Sequence, residues 1–322
     1  MRAVVITRSG GPEVYELQDV PDPVPGPNEL LVKVEAAGVN YRDVYERVGG
    51  GAYDAAPGTI AGVEGAGSVV SLGEGVEGFA AGDRVVWSAA QGSYAEFVLV
   101  AADAAVPVPD DVSSEVAAAV LLQGITAHYL TCDSYAIKPG DAVLVHAGAG
   151  GVGLLLTQIA KLKGARVIAT TSGGEKAELA RGAGADEVIG YEGFPERVRE
   201  LTDGEGVAAV YDGIGRTTFD DGLKALRPAG VMVLYGSASG WPDPLDTRVL
   251  ASRGSLYVQR PVLGTYVRTR ELLLARAGEV FDWVRSGRLD VRIGARYPLA
   301  DAARSHEDLE ARRTTGKLLL IP

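Results

Sequence analysis

The sequence predicts an α/β protein: a doubly wound parallel sheet joined to a mostly antiparallel β-barrel. Three observations carry this. Residues 1 to about 110 read as short strands broken by glycine turns. From Asp141 onward, continuous apolar strands alternate with helical stretches, the pattern of a parallel sheet covered on both faces. A G-x-G-x-x-G turn stands where the first of those strands meets the first helix.

Taken in order, Ala3–Thr7 is a short apolar run, PDPVPGP a proline-rich connector, and Leu30–Val34 a half-buried strand. Gly65–Leu72, Arg84–Trp87 and Tyr94–Val100 are further strands, punctuated by turns such as Gly73-Glu74-Gly75 and Gly82-Asp83. Ser113 or Ser114 caps a helix running into Ala117–Leu122, and a second helical stretch follows Gly124. The alternating region then brings strand Ala142–Ala147, helix Val152–Lys163 and strand Ala165–Thr171. Strands Glu187–Ile189, Val207–Tyr211, Val231–Tyr235 and Ser255–Val258 follow. Residues 265 to 285 form one long helical pattern, and the tail ends in strand Lys317–Ile321. That tail is too short to be a domain, so it is expected to return to the N-terminal barrel. The expected division is a catalytic domain of residues 1–124 completed by 262–322, and a nucleotide-binding domain of residues 125–261.

Composition narrows the function. With 322 residues, 47% of them hydrophobic and 23% charged, the chain has material for about two domains with a sizeable core. A net charge of -11 disfavours nucleic acid as the main partner. The single cysteine, Cys132, excludes an internal disulfide framework and suits a reducing, cytoplasmic setting. The opening MRAVVITRSG lacks an apolar run of signal-peptide length, and no run of about 20 apolar residues suggests a membrane span.

The most informative motif is His146-Ala147-Gly148-Ala149-Gly150-Gly151-Val152-Gly153. Gly148 permits the tight turn, Gly150 lets backbone approach a pyrophosphate, and Gly153 lets the helix pack closely on the sheet. With Gly151 and Val152, the free N–H groups at the helix head form an anion site. This is a Rossmann dinucleotide fingerprint, weak as a bare pattern and strong in its strand-to-helix setting. Sites for NAD place a carboxylate at the end of the second strand, against the ribose 2′-OH. Here that strand ends Thr170-Thr171-Ser172-Gly173-Gly174, with no acid. Ser172, the glycine N–H groups and Lys176 can instead receive a 2′-phosphate, so NADPH is the expected cofactor. Lys176 also reads as a solvated helix residue, and the adjacent Glu175 weakens a basic pocket.

These residues resemble the zeta-crystallin type of NADPH:quinone oxidoreductase, in the zinc-independent medium-chain dehydrogenase/reductase superfamily. The resemblance runs nearly end to end. It includes Gly10-Gly11-Pro12-Glu13-Val14, Gly38-Val39-Asn40-Tyr41-Arg42-Asp43, Ala81-Gly82-Asp83-Arg84-Val85 and Gln123-Gly124-Ile125-Thr126-Ala127. It continues through Tyr211-Asp212-Gly213-Ile214-Gly215, Gly254-Ser255-Leu256-Tyr257, Arg260-Pro261 and Leu318-Leu319-Leu320-Ile321-Pro322. The family implies a GroES-like barrel wrapped in sequence around the Rossmann domain, with the active site in the cleft between them. It also implies a homodimer with the Rossmann sheets meeting near Ser255–Val258. By family precedent Asn40, Asp43, Gln123 and Thr126 lie near the nicotinamide, and Ser172, Lys176 and Tyr191 around the adenosine phosphate. Gly215, Gly236 and Ser237 would line the cofactor groove, with Arg260 near its mouth. Gly173-Gly174 departs from the polar residue common in relatives.

Zinc-dependent relatives carry a His-Glu pair where this chain reads Val63-Glu64, and a cysteine near Val39-Asn40-Tyr41. The imidazole ligand is therefore missing, and Glu64 reads as a capped or surface residue, with a functional role as the alternative. His128 and Cys132 are four apart on a helix and can face together, but two ligands do not make a zinc site. His146, ending the first Rossmann strand, reads as a packed imidazole bonded to backbone. His306, in a polar terminal helix, reads as surface.

The chemistry expected is metal-free hydride or electron transfer to a quinone or conjugated enone, a small-molecule substrate. Tyr41, Tyr45 and Tyr53 cluster in one segment. Tyr53, in a Gly/Ala-rich loop, is the favoured hydrogen-bond donor to an acceptor carbonyl, with Tyr41 and Asn40 as further catalytic candidates. Ordinary packing explains any one of these tyrosines equally well. Two other readings stay open: a biosynthetic enoyl reductase, and an NADPH-binding protein with a non-catalytic role.

Overall fold

A computed structural model of the chain describes residues 1–49 and 53–322. Its backbone divides into two compact units. One comprises residues 1–122, 269–285 and 291–322; the other comprises 123–268 and 286–290.

The first unit is built from β1 (Arg2–Ile6), β2 (Tyr15–Asp19), β3 (Glu29–Val39), β4 (Thr59–Ile60), β5 (Glu64–Leu72), β6 (Arg84–Trp87), β7 (Phe97–Ala101) and β8 (Val106–Pro107). The second unit contributes β9 (Ala142–Val145), β10 (Arg166–Thr170), β11 (Glu187–Ile189), β12 (Val207–Asp212), β13 (Leu226–Leu234) and β14 (Tyr257–Gln259). The chain then returns to the first unit with β15 (Ile293–Pro298) and β16 (Lys317–Ile321).

In the first unit β2-β1-β4 form a three-stranded sheet. A seven-stranded sheet runs β15-β16-β3-β5-β6-β8, with β7 also on β3. Every pair is antiparallel except β15 with β16. Both sheets bury one face in a shared core holding Val4, Ile6, Val32, Val69, Trp87, Val98 and Leu320. The tail rejoins this unit because Leu318, Leu319 and Leu320 pair antiparallel with Val39, Gly38 and Ala37 of β3. Strand β2 escapes a sequence reading because its alternation spans only Tyr15-Glu16-Leu17-Gln18, and four of its five residues, Leu17 included, are exposed.

The second unit is a six-stranded, all-parallel sheet in the order β11-β10-β9-β12-β13-β14. Two strand–helix halves run outward from β9 and β12, so the strand order reverses between them, where such sheets bind nucleotides. Its central strands β9, β10 and β12 are almost wholly buried, mostly apolar runs, as the continuous hydrophobic stretches require, while the outer strands β11 and β14 are more exposed.

Two helical expectations need correction. The stretch from Ser114 is one helix, α2 (Ser114–Tyr129), that passes through Gly124 without a break and leads into a π-helical turn at Leu130–Ser134. Ser113 caps it, its Oγ accepting from Val116 N at 3.2 Å. The pattern over 265–285 is two helices, Leu263–Tyr266 and Arg270–Arg285. The break falls where the Thr269 hydroxyl accepts from Leu272 N and starts a new helix.

His306 is also not at the surface. It is fully buried, its ring edge-on to Tyr15 at 4.7 Å and its Nε2 3.2 Å from the Tyr94 hydroxyl. Tyr94 donates to Asp43 Oδ2 at 2.8 Å, so it accepts from His306 Nε2–H, and His306 Nδ1 is left buried with no hydrogen-bond partner among the described residues. Burial, reinforced by the Arg47 guanidinium, pushes the His306 pKa down to about 3. The folded protein thus refuses a proton that the unfolded chain takes up near pH 6.5, and this group's contribution to stability is lost as pH falls from 6.5 towards 3. Asp43 acts oppositely: burial raises its pKa to about 6, against hydrogen bonds from Tyr94 and Asn40 that lower it. Its folded form holds a proton longer than the unfolded chain, so its contribution weakens as pH rises from about 4 to 6. Replacing His306 with Gln, which can still donate to Tyr94, should remove about 1.4 kcal/mol per pH unit from the acid-side loss of stability. Urea midpoints at pH 4.5 to 7 for both proteins measure it; superimposable slopes would show that His306 protonates normally in the folded state.

Candidate active site

The glycine turn is where the sequence places it. Helix α3 (Gly151–Leu162) starts from an extended Gly150, and no side chain caps it. The chain turns at Ala147, which adopts φ +53°. A Cβ on Gly153 would stand 2.2 Å from the Ala147 carbonyl oxygen, and one on Gly148 would stand 2.8 Å from the Ala169 Cβ. Both positions therefore require glycine for close approach of helix and strand. A Cβ on Gly151 would strike the Gln123 amide at 2.1 Å. Gln123 lies in α2, and its Oε1 is buried without a protein partner beside the helix head. An uncapped helix head and a glycine cradle suit a dinucleotide pyrophosphate, and the orphaned acceptor suits a donor elsewhere on the dinucleotide, a ribose hydroxyl or an amide N–H. Val152 occupies the first turn of α3, and Thr126 is buried on α2.

At the end of β10 lies an open groove of about 740 Å³, lined by Thr171, Ser172, Gly173, Gly174, Arg181 and Tyr191 among others. Ser172 and Tyr191 thus line one groove. Lys176 sits half-buried in the first turn of α4 (Glu175–Gly182), between Gly174 and Ala177, which both line the groove. Arg181 lines it too, although it is paired with Glu178 at 2.6 Å. Sequence reasoning missed Arg181 because it stands five residues after Lys176, beyond the strand end where a phosphate partner is sought.

On the other side of the switch point, Asp212 ends β12 fully buried and organises the next loop. It accepts from Ile214 N at 2.7 Å, Gly215 N at 3.0 Å and the Thr218 hydroxyl at 2.9 Å. The loop after β13 zips onto it: Ala238 N donates to Gly213 O, Ser239 N to Ile214 O, and Arg216 N to Gly240 O. Gly215, Gly236 and buried Ser237 therefore belong to one interlocked edge. Arg260 follows β14, its Nη1 donating to Leu234 O at 3.2 Å.

His146 is a packed residue, as expected, but its partner is not backbone. Nδ1 is 2.8 Å from the Thr170 hydroxyl, and the ring meets Phe194 edge-on at 4.8 Å. Burial lowers its pKa, partly offset by Asp212. The Thr170 hydroxyl is available because that residue ends β10, the strand beside β9.

In the first unit, Glu64 is not a surface residue. It is completely buried, and its Oε2 takes hydrogen bonds from Lys317 Nζ at 2.5 Å and Asn40 Nδ2 at 2.8 Å. Its Oε1 accepts from Leu122 N at 2.8 Å. Lys317 Nζ also donates to Asn40 Oδ1 at 2.8 Å, and Lys317 is itself 1% exposed. A Cβ on Gly38 would fall 2.5 Å from Glu64 Oε2, so that glycine makes room for the pair. Pairing of β16 with β3 brings residue 317 to this place; no local pattern could have announced it. The Asn40 amide is therefore committed to protein partners, its Nδ2 also reaching Gly38 O at 3.2 Å. Asn40 also opens α1 (Tyr41–Val48) through a capping box with Asp43, whose Oδ2 accepts from Asn40 N at 2.9 Å.

Tyr41 begins α1, half-buried, and burial raises its hydroxyl pKa. Its ring is 6.1 Å from that of Tyr45. Tyr53 instead lies under the Arg42 guanidinium, 5.0 Å from the ring centroid. Residues 50–52 of the loop before it lie outside the described residues. His128 and Cys132 do face one another, Nε2 to Sγ at 3.9 Å. Burial pushes the Cys132 thiol up, but His128 and Lys163 outweigh it and hold it below its usual range. Among the described residues, no group of three or more His, Cys, Asp or Glu is arranged to hold a metal ion.

Truncating Lys317 to Met would leave the Glu64 carboxylate buried and unpaired. Stability should fall by about 3–5 kcal/mol, and the double variant Lys317→Met/Glu64→Gln should recover much of it. Urea denaturation of both variants measures this; equal losses in single and double variants would show that the pair is not the unit of stability.

Two family models match the chain: the alcohol dehydrogenase GroES-like domain over residues 26–110 and the zinc-binding dehydrogenase over residues 151–277. The chain is 44% identical to a quinone oxidoreductase of Pseudomonas aeruginosa, over 97% of each chain. A mycobacterial protein solved in complex with NADPH is 50% identical, with a TM-score of 0.97 over 100% of both chains. The Escherichia coli quinone oxidoreductase, also solved with NADPH, is 40% identical with a TM-score of 0.96 over 100% of both chains. A GroES-like barrel and a Rossmann sheet without the zinc-site histidine agree with these likenesses: the chain belongs to the zinc-independent quinone oxidoreductase family of medium-chain dehydrogenases/reductases.

Proposed function

We propose that this protein uses NADPH to reduce a quinone or a conjugated enone, without a metal. The observation that carries the reading is the uncapped, glycine-cradled head of α3, set beside a second strand that ends in Thr170-Thr171-Ser172 with no carboxylate. Gly148, Gly150, Gly151, Val152 and Gly153 would hold the pyrophosphate through backbone N–H groups. Ser172 and Tyr191, with Lys176 nearby in α4, would receive the 2′-phosphate end, and Arg181 adds a positive charge to that groove. The carboxylates Glu178 and Glu192 also line it, so the phosphate must be held by hydrogen bonds more than by net charge. Gly215, Gly236, Ser237, Gln123, Thr126 and Arg260 would serve the nicotinamide half.

The bound dihydronicotinamide supplies a hydride, so that a quinone gaining that hydride and one proton becomes a hydroquinone while the cofactor leaves oxidised. The chain's own work is to orient and to shield. Asn40, locked by Lys317 and Glu64, keeps the start of α1 fixed. Asp43 is held in the same capping box and by Tyr94. Tyr53 and Tyr41 are the proposed hydroxyl donors to the acceptor's oxygen.

We further propose a homodimer formed along β14, the outer strand of the parallel sheet, where Tyr257 and Val258 are exposed apolar residues. A reducing cytoplasm suits the free thiol of Cys132.

Purified protein incubated with NADPH and a panel of quinones and enones should oxidise the cofactor, followed by its absorbance. Tight NADPH binding without oxidation by any acceptor would instead identify a binding protein. Lys176→Ala should raise the KM for NADPH several-fold more than that for NADH, as loss of a 2′-phosphate contact requires; equal effects would remove Lys176 from the site.

A further inference from the structure

The reading above leaves the recognition of the acceptor open, and the loop after β13 offers a specific device for it. Resting on the quinone reading, we propose that Trp241 is the platform on which the flat ring of the acceptor stacks, and that it biases the enzyme towards fused two-ring quinones.

Trp241 is 53% exposed, whereas Trp87 and Trp283 are 0% and 8% exposed. An exposed indole presents a flat apolar surface with a polar edge, on which a planar apolar ligand can stack. Its position is set by the interlocked loops at the carboxyl ends of β12 and β13. Arg216 N donates to Gly240 O at 3.0 Å, and Arg216 Nε to Trp241 O at 3.1 Å. This holds the backbone at the residue itself. Sheet order places the residue on the nicotinamide side: the adenosine groove lies by β10 and β11, and β13 and β14 lie across the switch point.

The ring is further pinned by Arg260. Its guanidinium lies 5.2 Å from the indole centroid, and its Nη1 is tied to Leu234 O and Pro261 O. A cation over one face fixes the ring. Arg260 lies over the indole and the residue is still 53% exposed, so ring surface remains for a stacked ligand. Quinones are planar and electron-poor, and indole is planar and electron-rich, so offset stacking is favourable and grows with ring overlap. A two-ring acceptor covers the indole, while a one-ring acceptor covers only part of it.

The test compares a naphthoquinone with a benzoquinone at saturating NADPH. In Trp241→Ala the KM for the naphthoquinone should rise roughly three- to tenfold, the benzoquinone KM should rise less, and the KM for NADPH should hold. Trp241→Phe should restore most of the difference, because a ring is restored without the indole nitrogen. Fluorescence gives an independent readout. The naphthoquinone should quench the wild-type protein loaded with NADP+ in a saturable manner, and the amplitude of that quenching should fall in Trp241→Phe, where only Trp87 and Trp283 remain. Unchanged KM ratios in Trp241→Ala, or saturable quenching of undiminished amplitude in Trp241→Phe, overturn the proposal while leaving quinone reduction intact. A wild-type protein that turns over no quinone overturns both.

Discussion

The Ala147 carbonyl oxygen leaves no room for a side chain at residue 153. That crowding lets α3 start almost against the end of β9 and turns the first amides of the helix outward. The uncapped start of α3 and the positive φ at Ala147 follow from the same tight turn. Nothing charged is needed to attract an anion there: free N–H groups and the helix dipole suffice, which explains how a chain of net charge -11 can hold an anionic dinucleotide. The loops after β12 and β13 extend the same edge without glycine alone. Buried Asp212 caps one loop, and backbone hydrogen bonds zip the other onto it.

The first unit solves a different problem. Its sheet accepts an ion pair, Lys317 with Glu64, where zinc relatives would present a histidine beside the same glutamate. A buried pair of this kind contributes little net stability but is costly to half-remove. Its use here is orientation: between them the two side chains engage both ends of the Asn40 amide. The Asp43–Tyr94–His306 chain lies next to it through the Asn40 capping box. Two ionisable groups in that chain are shifted in opposite directions by the same cause, burial, because burial disfavours the charged form of an acid and of a base alike.

Several misreadings share one origin. His306 sits among Arg304, Ser305, Glu307 and Asp308, so its helix looks solvated, yet its face turns inward onto Tyr15 and Tyr94. Glu64 stands at a strand start and reads as a capped or surface residue, yet it is fully buried with both oxygens engaged, one of them by a lysine 253 positions away. In each case the partner is distant in sequence, and composition within a window cannot reveal it. The split of the 265–285 pattern is milder: Thr269 competes for the helix amides through its hydroxyl, and propensity alone does not rank that option.

By itself the sequence determined whatever depends on short range: the apolar runs that become parallel strands, the glycine turn, the missing acid after β10 and the missing histidine at residue 63. These follow from sterics and hydrogen bonding among residues a few positions apart. Only the tertiary structure decided which polar side chains meet. Strand β16 had to pair with β3 before Lys317 could find Glu64 and Asn40, and the loops after β12 and β13 had to lock before Trp241 could stand under Arg260. Such contacts are set by sheet register and burial, where a shift of one residue would turn each side chain to the opposite face.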